Sequence, residues 1–453
     1  MDRNVKRLIV LVASLMLLLP AASSGGKSSV SHAAVNVTDF GALCNGSAND
    51  LAAIRSAVSV ESAAGGGDVS FPGGRTCVVK TSSSWETALC PGADNVRFVG
   101  GHGAVLKADP AGPDGTILID TCGHLGIAVE GLTLDLSGHD GEGVHVGSSG
   151  TNLVGDTFLN GGIGVYLDGH SVHDVLISHD RFAGGGYGVL TQDASTAHSI
   201  QVLDSYFMGG ARGDAIEINT PSSSGASDWT IANNVISGYQ SSDGSDGFGI
   251  GLANAHNIMI TGNTLIGVAN HGIHVEDRTS NLTISSNRIS GNVKSAIYLV
   301  SGAGRMENFK IVNNEIRTSG TVDEPWGSSS AVWLVSGGAG VFKDVLIQGN
   351  ILSDNGSSAS AACAISVEAT DNVVVDDNLI SDQVGSAGHG ICYSSWGSTG
   401  LARISGNTVE RGSPSKARAM ATQRRSELGP QRQGPPPTQG RARRNPAALN
   451  AAP

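Results

Sequence analysis

One recurring phrase constrains this chain more than any other feature: apolar, any, apolar, any, any, Asn or Asp, any, apolar. It occurs as Val175, Ile177, Asp180, Phe182, as Trp229, Ile231, Asn234, Ile236, as Ile258, Ile260, Asn263, Leu265, and as Leu282, Ile284, Asn287, Ile289. Further copies centre on Asn314, Asn350, Asn378 and Asn407, with weaker ones at Asp156 and Ser205. Most spacings fall between 24 and 29 residues, and the longer step from Asn314 to Asn350 predicts a loop insertion over 318–329. Alternation on both sides of a polar position describes two short strands meeting at a bend, where an Asx side chain bonds its own turn and tolerates the left-handed conformation. A coil of this length cannot bury its apolar face alone, so the coils must stack, each strand pairing in parallel with its counterpart. The predicted fold is all-β, a right-handed parallel β-helix, with the asparagines as a structural ladder rather than site residues.

At the N-terminal end, Leu51, Ile54, Ala57 and Val58 follow Asn49 and Asp50 with helical spacing. An N-capped helix is expected there as a lid over the open end of the solenoid. Glycine, at 64 of 453 residues, with aromatics at 4%, suits tight turns and small stacked side chains. Arg3, Lys6 and Arg7 precede an apolar run over 8–21, which reads as a secretory signal peptide within 1–33 and predicts a secreted protein. The run is short for a bilayer and no second one follows, so no membrane partner is expected. The β-helix domain is assigned to 35–411, and the Pro/Arg/Gln-rich basic tail 412–453 is expected to be disordered. The net charge of −12 includes the positive leader and tail, leaving a body of about −22 that argues against a nucleic-acid partner. Oligomeric state is left open.

Six cysteines permit disulfides in a secreted chain, and none has metal-ligand spacing. Cys363 and Cys392 each precede a repeat asparagine by 15 residues, which would stack them on neighbouring coils about 4.8 Å apart.

Between the bends runs another repeating strand, at 165–168, 216–219, 250–253, 273–276, 297–300, 332–335 and 365–368. Alternation sends Tyr166, Asp168, Glu217, Asn219, His274, Glu276, Tyr298, Trp333 and Glu368 outward, as the wall of an exposed groove. Acids and imidazoles thicken where coils enter this strand, at Asp214, Asp243, Asp246, His271, His274, Glu276 and Asp277. Flat rings with carboxylates between them suit a polysaccharide, by stacking and by proton transfer. The plainer alternative makes Tyr298 and Trp333 supports for an overlying loop and the acids solvated surface.

From Val35 the text VNVTDFGALCNGSANDLAAIRSAV, continuing through GGGDVSFPGG, resembles the opening module of the pectate lyase superfamily and of polygalacturonase-related β-helix proteins. The resemblance implies the β-helix and a carbohydrate-active function. Family 28 glycoside hydrolases carry Asn-Thr-Asp, Asp-Asp, Gly-His-Gly and Arg-Ile-Lys on successive coils; here GDAIEIN, SDGFGI and NHGIHVED place Asp214, Asp246 and His271 in that order. Each acidic site has a single aspartate, Asn270 replaces the first glycine, and Tyr298, Leu299 and Val300 stand where the basic motif belongs, which puts polygalacturonate in doubt. Gly101, His102, Gly103 and Gly388, His389, Gly390 read as structural.

The leading expectation is glycoside hydrolysis without a cofactor. Asp246 donates the proton, Asp214 helped by Asp243 activates water, and His271 sets the protonation of the acid. Glu217, His274, Glu276, Tyr298, Trp333 and Tyr166 line the sugar subsites. A rival is uronate elimination or epimerisation by His274 and Tyr298, with calcium held by Glu217, Glu276 or Asp277. A third reading is a non-catalytic glycan-binding or structural β-helix.

Overall fold

The computed structural model describes residues 34–410 apart from 170–171, 193–194, 211, 222–224, 242–245, 303, 323–329, 337–340, 357–362, 369, 382, 384–388 and 395–401. The expected leader and tail, Asp243, Gly388 and most of the predicted insertion lie outside the described residues. The chain winds through three parallel sheets. Sheet I runs from Val35–Asn36 to Ala402–Ser405 and sheet II from Asn45–Asn49 to Thr408–Glu410, each of 14 strands, while sheet III has 12, from Thr87–Leu89 to His389–Ser394.

The repeat phrase occupies the corner between sheets I and II. From Ala128–Glu130 onward, two residues separate each sheet I strand from the following sheet II strand, as His179 and Asp180 do between Ser178 and Arg181. The first of the two is always left-handed: Gly155, His179, Asp204, Asn233, Gly262, Ser286, Asn313, Gly349, Asp377 and Gly406 all have φ between 49° and 70°. This moves the strained position one residue ahead of the repeat asparagine, whose side chain is thereby turned inward to serve the coils on either side. The Asn234 amide donates to Asn263 Oδ1 from its backbone (2.9 Å) and from Nδ2 (3.0 Å), and Nδ2 also reaches the Val202 carbonyl. The pattern repeats through Asn263, Asn287, Asn314, Asn350, Asn378 and Asn407. Asp156, Asp180 and Ser205 continue the ladder towards the N-terminus with acids and a hydroxyl. Burial pushes the Asp156 carboxyl up to about 7; burial and then the Asp156 charge push Asp180 up to about 9. A second ladder, on the outer face of sheet I, links Asp228, Asn257, Asn281 and Asn308 through Nδ2 to Oδ1 bonds of 2.8–3.0 Å.

The interior is filled by columns. Phe158, Phe182 and Phe207 of sheet II stack face to face at 4.7 and 4.5 Å. Opposite them sheet III supplies Gly164 and Gly188, where a Cβ would come within 2.6 Å of Phe182 and 2.5 Å of Phe207. Ile216, Ile250, Ile273, Ile297 and Val332 continue the inner face of sheet III, all fully buried.

The helix, Leu51–Ala64, closes the N-terminal end with Leu51, Ile54, Ala57 and Val58 inward. Its expected cap is corrected: Asp50 makes no capping bond and instead accepts from Leu43 and Val78, while Asn49 Oδ1 accepts the Leu51 N–H. The unpaired N–H groups of the first strands outcompete the helix for the buried carboxylate. Disulfides join Cys44 to Cys77, Cys90 to Cys122 and Cys363 to Cys392. The last pair is the expected one, although the register sets Cys363 opposite His389 and Cys392 opposite Ser366, so equal spacing from the asparagines did not mean equivalent positions.

Candidate active site on sheet III

The outward residues of sheet III form parallel columns fixed by strand register. One column runs Asp120, His145, Tyr166, Leu190, Glu217, Gly251, His274, Tyr298, Trp333 and Ser366. A second, two residues further on, includes Asn219, Ala253, Glu276 and Val300. Asp214, Phe248 and His271 stand three residues ahead of the first column, one at the entry of each successive strand. Asp246 lies two residues before Phe248, so the three motif residues do not share one column.

The first column changes character at Gly251. Strand Ile250–Ala253 presents only Gly251 and Ala253 outward, between Glu217 and Asn219 on one coil and His274 and Glu276 on the next. Neighbouring side chains lean over the space: a Cβ on Gly251 would lie 3.0 Å from Asp214 Oδ2, 3.7 Å from the Phe248 ring and 3.8 Å from Glu217 Cγ. Asp214 Oδ1 accepts the Phe248 N–H at 2.9 Å, and Asn219 Nδ2 donates to Glu217 Oε1 at 3.0 Å. Asp246 Oδ2 accepts the Gly213 N–H at 2.8 Å, fixing the turn that carries Asp214, and its carbonyl accepts from Asn270 Nδ2.

On the far side of the gap the rings form a continuous cluster. Phe248 and His274 lie 4.3 Å apart between centroids, His271 stacks on Tyr298 at 4.3 Å, His274 lies 5.4 Å from Tyr298, and Tyr298 5.2 Å from Trp333. His274 Nε2 is 3.8 Å from Glu276 Oε2. Burial raises the Glu368 carboxyl, which a hydrogen bond from Trp333 partly offsets, and burial likewise raises Asp277.

The expectation of an exposed wall is corrected. Glu217, His274, Tyr298 and Trp333 point outward yet are only 4–6% exposed, and Asp214 and His271 are buried as well. Side chains stacked every ~4.8 Å shield each other, and the wide rings beside Gly251 close over it. Tyr166, also outward, belongs to a separate group around His145, with ring centroids 5.4 Å apart in an edge-on contact. Sequence reasoning overlooked this group because Glu142 and His145 lie upstream of the strongest repeats; the register step from Tyr166 back to His145 reveals it. His102 is an exposed turn residue whose carbonyl accepts from Gly74, and a Cβ on Gly390 would meet Val409 at 2.6 Å, so both early readings as structural positions fit the packing. A cleft of about 360 Å³ lies elsewhere, between the helix and the first sheet III strand, lined by Arg55, Val58 and Thr87.

Carboxylates for calcium do not converge: among the described residues Glu217, Glu276 and Asp277 do not come within shared reach of one ion, and the one such grouping, Cys44, Asp50 and Cys77, is tied up by a disulfide. No helix among the described residues is long and apolar enough to cross a membrane.

Residues 142–342 match the family model described as the right handed beta helix region. Among curated proteins, none matches the sequence. Solved structures share the fold. The A-module of mannuronan C-5 epimerase AlgE6 from Azotobacter vinelandii superimposes with a TM-score of 0.52 and 19% identity, over 81% of this chain and 99% of that one. The Streptococcus pneumoniae surface protein and adhesin PfbA gives 0.52 and 16%, over 83% and 97%. The catalytic unit of a thermostable GH87 α-1,3-glucanase from Streptomyces thermodiastaticus gives 0.51 and 17%, over 85% and 70%. The chain is a right-handed parallel β-helix, and at these identities the likeness extends to the fold alone.

Proposed function

We propose that this protein is a secreted polysaccharide-degrading enzyme, a glycoside hydrolase whose substrate lies along sheet III with the reacting sugar at Gly251. The observation that carries this reading is that Asp214 Oδ2 and the Glu217 side chain stand beside the one rung of the central column without an outward side chain. Hydrolysis of a glycosidic bond needs two carboxyl groups flanking one sugar, one to protonate the leaving oxygen and one to activate water or attack. Asp214, whose Oδ1 accepts the Phe248 N–H while Oδ2 stands beside Gly251, takes the base role. Glu217 takes the acid role, and Asp246 acts through the Gly213 turn as a positioning residue. His271 and Tyr298, stacked on each other, wall the opposite side of the gap.

The test is a product screen of neutral and uronic polysaccharides, read for reducing ends and for ultraviolet-absorbing products. Asp214→Asn and Glu217→Gln should each reduce reducing-end release by a factor on the order of 10² or more; full activity in both variants overturns the assignment. The second reading, uronate elimination or epimerisation, draws on the stacked His274 and Tyr298 rings, which could pass a proton between adjacent coils, and on Glu276 beside His274. Unsaturated products lost in Tyr298→Phe would select it. Glycan binding without turnover would select the non-catalytic reading, as for an adhesin.

A further inference from the structure

Four coils before the Gly251 gap, about 19 Å along the axis at ~4.8 Å per coil, lies a cluster that the hydrolase assignment leaves unused. His145 Nδ1 is 2.7 Å from Glu142 Oε2, a side chain only 6% exposed, and His145 Nε2 faces Asp168 Oδ2 at 3.9 Å. Asp168 is half exposed. Asp120 precedes His145 in the column, with its Oδ1 accepting from Cys122, and Tyr166 follows it edge-on to the imidazole. The contact of Nδ1 with Glu142 orients the ring so that Nε2 faces the Asp168 carboxylate, with the Tyr166 ring edge-on beside it. Such a group offers donors and acceptors at the spacing of sugar hydroxyls, with an aromatic body for the ring face.

A second observation concerns fixed charge. The twelve strands of sheet III contain Asp120, Glu142, Glu217, Glu276 and Glu368 and, among the described residues, no lysine or arginine. Sheets I and II, by contrast, carry Arg97, Lys107, Arg181, Arg288, Arg305 and Lys343. Among the described residues, cations border sheet III from the helix, where Arg55 donates to the Thr87 and Ala88 carbonyls at its N-terminal end, and from turns, where Arg212 pairs with Asp140, Arg278 lies over Gly304 and Lys294 stands three residues ahead of Ile297. A uronate every few ångströms along this face would meet carboxylates without a row of basic partners. At about 5 Å each such encounter costs between about fourfold in affinity at the dielectric of water and about three hundredfold at an effective dielectric of about 20.

We propose that sheet III takes an uncharged glycan in preference to a polyuronate, and that Asp120, Glu142, His145, Tyr166 and Asp168 form a distal subsite for it. The proposal rests on the reading of sheet III as the glycan face. A chain engaging both centres must span about four coils, so short oligosaccharides reach one centre and long ones both.

The test measures binding of neutral glucans, galactans and mannans, and of the same chains carboxymethylated, with chelator present, at low and high salt. The neutral chain of the bound type should bind about tenfold tighter at low salt, with the gap narrowing as salt screens the face; a carboxymethylated or uronic chain that binds as tightly overturns the preference. Asp168→Ala and His145→Gln, checked for unchanged thermal unfolding, should weaken long-chain binding by about tenfold while leaving turnover of the shortest cleaved oligosaccharide unaltered. Equal long-chain affinity in both variants overturns the distal subsite but leaves the Gly251 centre standing. Absence of binding by every chain, charged or neutral, overturns the glycan face itself and this proposal with it.

Discussion

Replacing Asp180 by asparagine should stabilise the protein, and by an amount that depends on pH. Asp180 sits within the ladder at 0% exposure; its Oδ1 accepts the Asp156 N–H, while Oδ2 is buried without a hydrogen-bond partner. Its carboxyl, raised by burial and then by Asp156, is pushed up to about 9 in the folded protein, against 3.8 for the ordinary group. The folded state therefore binds a proton that the unfolded state releases, and the contribution to stability, fully present below about pH 4, is lost as pH rises towards 9. At about 1.4 kcal/mol per pH unit the loss at pH 7 is on the order of 4 kcal/mol. Asparagine removes the ionisation and supplies an Nδ2 that can reach the Leu153 carbonyl, the counterpart of Val202 below Asn234. For a folded body of this size, 4 kcal/mol corresponds to about 5 °C in the unfolding midpoint. Thermal unfolding of both proteins at pH 4 and pH 8, followed by circular dichroism, should show a small difference at pH 4 and several degrees of stabilisation at pH 8. An equal shift at the two pH values, or destabilisation at pH 8, would refute the reasoning.

Four further outcomes are expected. Gly251→Val, by filling the space next to Asp214 and Glu217, should abolish turnover while circular dichroism stays native-like, whereas Gly267→Ala, at a left-handed turn position with nothing near its missing Cβ, should alter stability alone. Phe207→Ala, which removes the end of the phenylalanine stack, should cost about 3–5 kcal/mol in denaturant unfolding. Glu142→Gln should lower the His145 titration in an NMR pH series: burial works against the imidazolium, but Glu142, Asp120 and Asp168 hold it above its ordinary value, and Glu142 is the largest of the three. Mass spectrometry should find six alkylated thiols after reduction and none before it.

The architecture was legible because a solenoid writes its period into the chain: each ladder residue, from Asp156 to Asn407, bonds a neighbouring coil as the repeat phrase implied, and even the weak copies at Asp156 and Ser205 belong. Side-chain direction on sheet III also followed from alternation, since Tyr166, Glu217, His274, Tyr298 and Trp333 do share one outward column. Accessibility did not follow, because burial of Glu217 or Tyr298 depends on lateral crowding between coils rather than on strand period. Register against the next coil was equally hidden at Gly251, whose missing side chain matters only through what stands above and below it. The second ladder from Asp228 to Asn308 stands directly ahead of the apolar phrase on each coil, but its left-handed backbone and outward direction lie outside what strand alternation specifies. For the group around His145 the available signal was the pairing of Glu142 with an imidazole three residues on.

The corner between sheets I and II keeps two residues on every coil from Ala128–Glu130 onward, whereas the passage from sheet II into sheet III varies from three residues, between Leu159 and Ile163, to fourteen, between Arg317 and Val332. The first corner works like the teeth of a gear: one residue added there would throw the sheet II strand that follows it onto its opposite face. Length added beside sheet III is absorbed within its own coil, because the next asparagine re-indexes the chain. Tolerance to insertion is thus concentrated along the margins of the sheet that carries the carboxylates and rings. New specificity can be grafted there, coil by coil, without disturbing the frame that holds the rest in step.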